Sequence, residues 1–248
     1  MRMRKRANLD ARMERCAELL DTDPESLRGE WQARYPGYGK LYLELGCGKG
    51  RFTAETAAAM PDTLYVALEK VPDAMILAME KVERRDLENV RFIDGDAKLL
   101  TAMFAPGEAD RIYINFCDPW PKSRDAKLRL TAPSFLRMYA DILKPGGEIH
   151  FKTDNTPLFD WSIAQFEAED WALSEVTHDL HANGPVGVMT DYEAKFYEQG
   201  LKINRLVAAK TADTKGTAAG PVPRLRNASL TDARGYEESL EANRRNEA

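Results

Sequence analysis

From Leu41 onward, short apolar runs alternate with stretches whose apolar residues recur at helical spacing; the runs are Leu41–Leu45, Leu64–Leu68, Val90–Ile93, Arg111–Phe116 and Glu148–Thr153. A strand covered on both faces needs a near-continuous apolar run, and a helix between successive runs lets them pair in parallel. The alternation therefore predicts an α/β fold with a doubly wound, mostly parallel sheet. Trp171–Thr177 and Leu201–Ala208 supply two further strands, the last as an antiparallel strand at the sheet edge. Pro133 suits the first turn of a helix running towards Leu143, and Lys144-Pro145-Gly146-Gly147 reads as the turn that ends it.

The flanks read differently. Within 9–34, Leu9, Met13, Cys16, Leu19 and Leu20 fall at helix-like intervals until Pro24 and Gly29 break the pattern, so 1–34 is expected as a basic, helical extension. After Lys210 large apolar residues become scarce, leaving little to offset the entropy of ordering. Residues 211–248 are accordingly expected as a disordered tail, with a short exposed helix at Tyr236–Asn243 at most. Between the flanks, 35–210 is expected as one domain, because 248 residues with 44% hydrophobic content suffice for one sizeable core.

Leu41-Tyr-Leu-Glu-Leu-Gly-Cys-Gly-Lys-Gly50 is a strand entering a glycine-rich turn and then a helix. Gly46, Gly48 and Gly50 let the backbone turn tightly and approach a ligand with no Cβ in the way. A dinucleotide fingerprint would place a third Gly or Ala at the sixth position for close helix packing; here Arg51 stands there. Gly-x-Gly-x-Gly instead suits a cofactor with no phosphate to cradle. Glu69 ends the second strand about twenty residues on, where a carboxylate accepts from ribose hydroxyls. Asp96 follows the third strand, placed for an adenine amino group, and Glu44 at the end of the first is placed for an ammonium or the ribose. Acids at several strand ends that collect one cation and several hydroxyls point to S-adenosyl-L-methionine, leaving S-adenosyl-L-homocysteine as product.

Arg111-Ile-Tyr-Ile-Asn-Phe-Cys-Asp-Pro-Trp-Pro-Lys122 is a strand stopping at an acid and two prolines, which stiffen an exposed turn carrying Asp118, Trp120 and Lys122. Together with Leu-Glu-Leu-Gly-Cys-Gly-Lys-Gly (43–50), Phe-Lys-Thr-Asp-Asn (151–155) and Thr-Asp-Tyr-Glu-Ala-Lys-Phe (190–196), this stretch resembles the bacterial tRNA (guanine-N7-)-methyltransferase family over residues 35–208. The resemblance implies a Rossmann-like class I methyltransferase that methylates N7 of a variable-loop guanosine in tRNA. It implies that Glu44, Glu69, Asp96 and Asp118 contact the cofactor, Asp118 being also catalytic. It implies substrate contacts at Lys122, Asp154, Thr190, Asp191, Tyr192 and Glu193, and a tRNA-binding stretch over 124–129 with Arg124, Lys127 and Arg129. Where the family usually has Arg-His-x-Lys-Arg-Arg, this chain has Arg124-Asp125-Ala126-Lys127-Leu128-Arg129, one histidine and one basic residue fewer.

The net charge of −5 does not favour a polyanionic partner, but it is an average, and basic residues cluster in the first six positions and at Lys122, Arg124, Lys127 and Arg129. The Thr190–Glu193 segment also reads as a helix start, with Thr190 as cap and Glu193 three residues on. Asp118 or Asp154 is placed to accept from guanine N1–H and the 2-amino group, and Trp120 either stacks on an extruded base or packs at the sheet edge. His178 and His181 lack the further ligands a metal would need and read as surface residues, while His150, inside a strand, reads as structural. Cys16, Cys47 and Cys117 cannot all pair, no apolar stretch suits a bilayer, and nothing after Arg2, Arg4, Lys5 and Arg6 reads as a signal peptide. A cytoplasmic protein with neither membrane nor metal partner is expected, with monomer or homodimer undecided. The rival readings are an exocyclic-amine methyltransferase, suggested by Asp-Pro-Trp-Pro, a dehydrogenase, opposed by Arg51, and a non-catalytic RNA-binding module, opposed by the four acids.

Overall fold

The computed structural model describes residues 8–220. Among these residues seven strands, β1 Lys40–Leu45, β2 Thr63–Glu69, β3 Val90–Asp94, β4 Ala109–Asn115, β5 Leu143–Thr153, β6 Ala172–Thr177 and β7 Asn204–Ala209, form one sheet in the order β3-β2-β1-β4-β5-β7-β6. β1 to β5 pair in parallel, and β7 lies antiparallel between β5 and β6. The expected antiparallel strand is present at that end of the sheet, one position in from the edge. There Ala208 faces Ile149 of β5 and Leu173 of β6 at once.

Among the described residues, eight helices flank the sheet: α1 Leu9–Arg15, α2 Trp31–Arg34, α3 Arg51–Ala59, α4 Pro72–Arg84, α5 Leu100–Met103, α6 Pro133–Ile142, α7 Thr156–Ala168 and α8 Asp191–Glu198. Proline opens α4 and α6, where its fixed φ and missing N–H fit the first turn. Asn155 caps α7 by accepting from the Leu158 amide at 2.7 Å. On one face, Phe52, Met75, Ile76, Met79 and Val82 cover Tyr42, Tyr65 and Tyr113; on the other, Phe104, Phe135, Leu136, Tyr139, Leu158 and Phe159 cover the remaining sheet surface. β2 is buried along its whole length, as its apolar run requires.

Three expectations need revising. Residues 9–34 form α1, a 3-10 turn at Ala17–Leu19 and α2 rather than one helical stretch, and Leu20 bridges to Phe92 of β3. Trp31 is completely buried, donates to Met103 O at 2.9 Å and stacks on Phe104 at 5.2 Å, so this segment contributes to the core. Lys144–Gly147 continue into β5 instead of forming a separate turn, because Gly146 N donates to Lys210 O and Lys210 N to Gly147 O. Finally, 211–220 pack on the body: Lys215 N donates to Glu169 O, and the Arg137 guanidinium, paired with buried Glu169, donates to Gly220 O. The basic run at 1–6 and the helix expected at Tyr236–Asn243 lie outside the described residues.

Candidate functional site at the carboxyl ends of the strands

Gly46 and Cys47 donate their amides to Leu68 O, so the loop leaving β1 folds across the tip of β2. At Gly50 (φ +73°) an added Cβ would lie 2.3 Å from the Ala78 Cβ of α4, so this glycine permits close helix packing. At Gly46 (φ +81°) and Gly48 (φ +56°) an added Cβ meets nothing within 4 Å, and the loop keeps open space on its outer side. The Glu69 carboxylate accepts from Gly48 N at 2.9 Å through one oxygen and from Lys70 N and Val71 N through the other, tying loop to strand tip. Glu44 is 1% exposed and accepts from the Thr53 hydroxyl at 2.6 Å and the Tyr65 hydroxyl at 3.1 Å. Burial pushes its carboxyl up to about 7 despite those bonds.

On the far side of β1, β4 delivers Asp118 to an exposed turn in which Phe116 (φ +53°) and Trp120 (φ +45°) both occupy the left-handed region. Such conformations cost of order 1–3 kcal/mol in a non-glycine residue and persist only where surroundings enforce them. Cys117 lies close to Asp118 and Asp154: its thiol is pushed up to about 12, first by burial and then by those two charges. Burial likewise raises the Asp154 carboxyl. Asp96 accepts from Lys98 N at 3.0 Å and caps the 3-10 turn at Ala97–Leu99. The tips of β1 to β5 thus bring Glu44, Glu69, Asp96, Asp118 and Asp154 to one end of the sheet.

The Thr190–Glu193 segment opens α8 with the expected capping box: the Thr190 hydroxyl accepts from Glu193 N at 2.9 Å, and Glu193 accepts from Thr190 N. Glu193 is wholly buried, between the Lys152 ammonium at 2.6 Å and the His181 ring at 3.0 Å. Lys152 also donates to Val188 O, so β5 holds the segment from beneath. Glu193 therefore supports the segment, whereas Tyr192 is exposed beside Phe116, with ring centroids 5.5 Å apart. Asp191 pairs with Lys81 of α4 at 2.9 Å. That pair joins Arg51, Glu55, Arg84 and Arg85 around a concavity of about 410 Å³ beside the glycine loop.

Lys122, Arg124 and Lys127 are exposed along the 3-10 turn Ser123–Leu128. Arg129 is not exposed with them. It is completely buried, which removes it from the surface an RNA would touch, and it points back at the Asp118 turn. His181, expected at the surface, is buried against Glu193. His150 accords with a structural reading: it pairs with Glu148, and burial drops its ring to about 4.

Sequence reasoning passed over Asn115, at the tip of β4. Its amide is buried and lies against the Glu44 carboxyl, one of the contacts that favour that group's ionised form. It shares a sheet face with Glu44, since Asn115 and Tyr113 alternate along β4 and Tyr113 pairs with Glu44. A buried carboxyl, a buried amide and an open glycine loop thus meet at the carboxyl ends of the strands. Among the described residues no group of three or more His, Cys, Asp or Glu is placed to hold a metal, and no helix is long and apolar enough to cross a membrane.

Comparison with known proteins agrees with this geometry. Among solved structures, the 16S rRNA methyltransferase KamB superposes with a TM-score of 0.57 at 16% identity, over 74% of this chain and 92% of that one, a likeness of fold. A family described as "Putative methyltransferase" matches residues 39–206. The tRNA (guanine-N(7)-)-methyltransferase of Bacillus cytotoxicus is 39% identical over 84% of this chain and 96% of its own length. That of Lachnoclostridium phytofermentans is 42% identical over 75% and 88%. With a matched family spanning most of the sheet and relatives aligned almost end to end, this chain belongs to the tRNA (guanine-N(7)-)-methyltransferase family.

Proposed function

We propose that the chain transfers a methyl group from S-adenosyl-L-methionine to N7 of a guanine in tRNA, the variable-loop guanosine being the favoured position. The observation that carries this reading is the convergence of Glu44, Glu69, Asp96 and Asp118 at neighbouring strand tips around the open side of a glycine loop. Open α/β sheets bind ligands at that end. In this reading Glu69 holds the ribose beside the glycine loop, Asp96 meets the adenine amino group, and Glu44 with Asn115 receives the ammonium end. When bound, the donor supplies an electrophilic methyl on a sulfonium sulfur.

Guanine N7 carries an in-plane lone pair and no proton, so the protein has no base to provide. Its task is alignment, which can supply much of a barrier reduction. Asp118 or Asp154 accepts from guanine N1–H and the 2-amino group, and a carboxylate there also stabilises the positive charge that methylation leaves on the purine. Tyr192, exposed beside Phe116, and Trp120, two residues after Asp118, offer faces on which a displaced base stacks. Lys122, Arg124 and Lys127 meet phosphates, and the site works in the cytoplasm, where tRNA is found.

The test is incubation with methyl-labelled adenosylmethionine and unmodified tRNA, followed by nuclease digestion and mass spectrometry. Label in N7-methylguanosine supports the reading. Label in an N-methylated exocyclic amine, or none, overturns it.

A further inference from the structure

We propose that Arg129 is a positioning residue for methyl transfer: from inside the protein it clamps the backbone of the turn that carries Asp118. The inference rests on the methyltransferase reading above and assigns Arg129 a role other than RNA contact.

The turn cannot hold itself. Pro119 and Pro121 have no amide hydrogens, so the peptides that join them to Asp118 and to Trp120 lack donors that could close the turn. Phe116 and Trp120 meanwhile sit at positive φ, which relaxation would abolish unless something outside the turn prevents it. Arg129 is placed to do so. Its Nε donates to Pro119 O at 3.0 Å and to Trp120 O at 3.2 Å, and its Nη2 donates to Trp120 O at 2.9 Å. The planar fork thus spans two successive carbonyls, a geometry that a point-like ammonium cannot reproduce.

The clamp is itself anchored. The guanidinium lies 4.4 Å from the centre of the Trp161 ring on α7, a cation–π distance. The neighbouring Thr131 and Ser162 hydroxyls join at 2.7 Å, fixing the chain after Arg129 to the same helix. Burial lowers the guanidinium to about 10, which leaves it charged at neutral pH. A cation held under a strained turn, and not at the surface, stiffens the carbonyls between Asp118 and Lys122. A carboxylate that must meet the purine edge to a fraction of an ångström needs that stiffness.

Arg129→Met keeps an unbranched apolar stem over Trp161 and removes every donor; Arg129→Lys restores the charge on a single donor nitrogen. Amide hydrogen exchange of the 116–122 peptide is measured in both, together with donor affinity, KM for tRNA and kcat. The expected result is faster exchange confined to 116–122, unchanged donor affinity and tRNA KM, and a kcat reduced by about 100-fold in Arg129→Met, the size expected of an ångström-scale misplacement. Arg129→Lys should fall between this variant and the wild type. Unchanged exchange and unchanged kcat would overturn the proposal, as would a raised tRNA KM with kcat intact, which is the signature of a phosphate contact. If Arg129→Met does not fold, Arg129→Lys decides by the same readouts. A wild type that deposits no N7-methylguanosine sinks the functional reading, while exchange still reports whether Arg129 holds the turn.

Discussion

At the scale of single residues, Glu44 and Asp118 are acids of opposite character at neighbouring strand tips. Glu44 is buried, and its carboxyl is raised to about 7 from 4.5, so the folded protein keeps this proton longer than the unfolded chain does. Stability should therefore fall as pH rises through that window and level off above it. Binding an ammonium favours the ionised form, so donor affinity should rise as pH passes about 7. Calorimetric titrations should show this rise in the wild type and a flat profile in Glu44→Gln. Asp118 is exposed and supports no packing. Asp118→Ala should leave the melting temperature unchanged and lower kcat by about 100-fold or more, the usual loss of one preorganised charge-stabilising group. Both acids were legible from their positions at the ends of apolar runs. The buried amide of Asn115 was not, because an asparagine inside a strand gives no sign of what its side chain will face.

At the scale of elements, α8 shows how a local signal is absorbed by a tertiary one. Its capping box was readable from Thr190 and Glu193 alone, since both partners lie within one turn. Burial of Glu193 against Lys152 and His181 was not, because these residues are 41 and 12 positions away. The concavity beside α8 likewise combines cations from separate helices: Arg51 opens α3, while Lys81, Arg84 and Arg85 belong to the end of α4. Lys81 is paired with Asp191 and Arg51 with Glu55, whereas Arg84 and Arg85 are exposed. If tRNA phosphates pass here, Arg84→Glu with Arg85→Glu should raise the KM for tRNA and flatten its dependence on salt by about two counterions, leaving donor affinity unchanged. Steady-state kinetics across a salt series measures this directly.

At the scale of the whole molecule, both ends of the described chain are fastened to the domain between them. Arg12 and Arg15 of α1 reach Glu80 of α4, whose carboxyl they hold below the usual range. At the other end, 211–220 run back over α6 and α7 to the buried Arg137–Glu169 pair. Removing one member of a buried pair typically costs about 3–5 kcal/mol, because the remaining charge is stranded. Loss of Gly220 O alone should cost less, about 1–3 kcal/mol. Truncation after Lys210 should therefore lower the melting temperature further than truncation after Gly220, and the difference between the two isolates this strap. Composition concealed the strap, because Thr, Gly and Lys carry little apolar surface and it is held by hydrogen bonds to groups far away in sequence.

By itself the sequence determined the βα alternation, the glycine loop, the acids that follow each strand and the proline-stiffened turn. Each is set by residues within a few positions of one another, through periodicity, allowed dihedrals and missing donors. Only the tertiary structure decided which basic residues face outward. Arg124, Lys127 and Arg129 read alike along the chain, yet Arg129 turns inward because two carbonyls and the Trp161 ring wait there, and a residue's surroundings are made by parts of the chain that its neighbours do not specify.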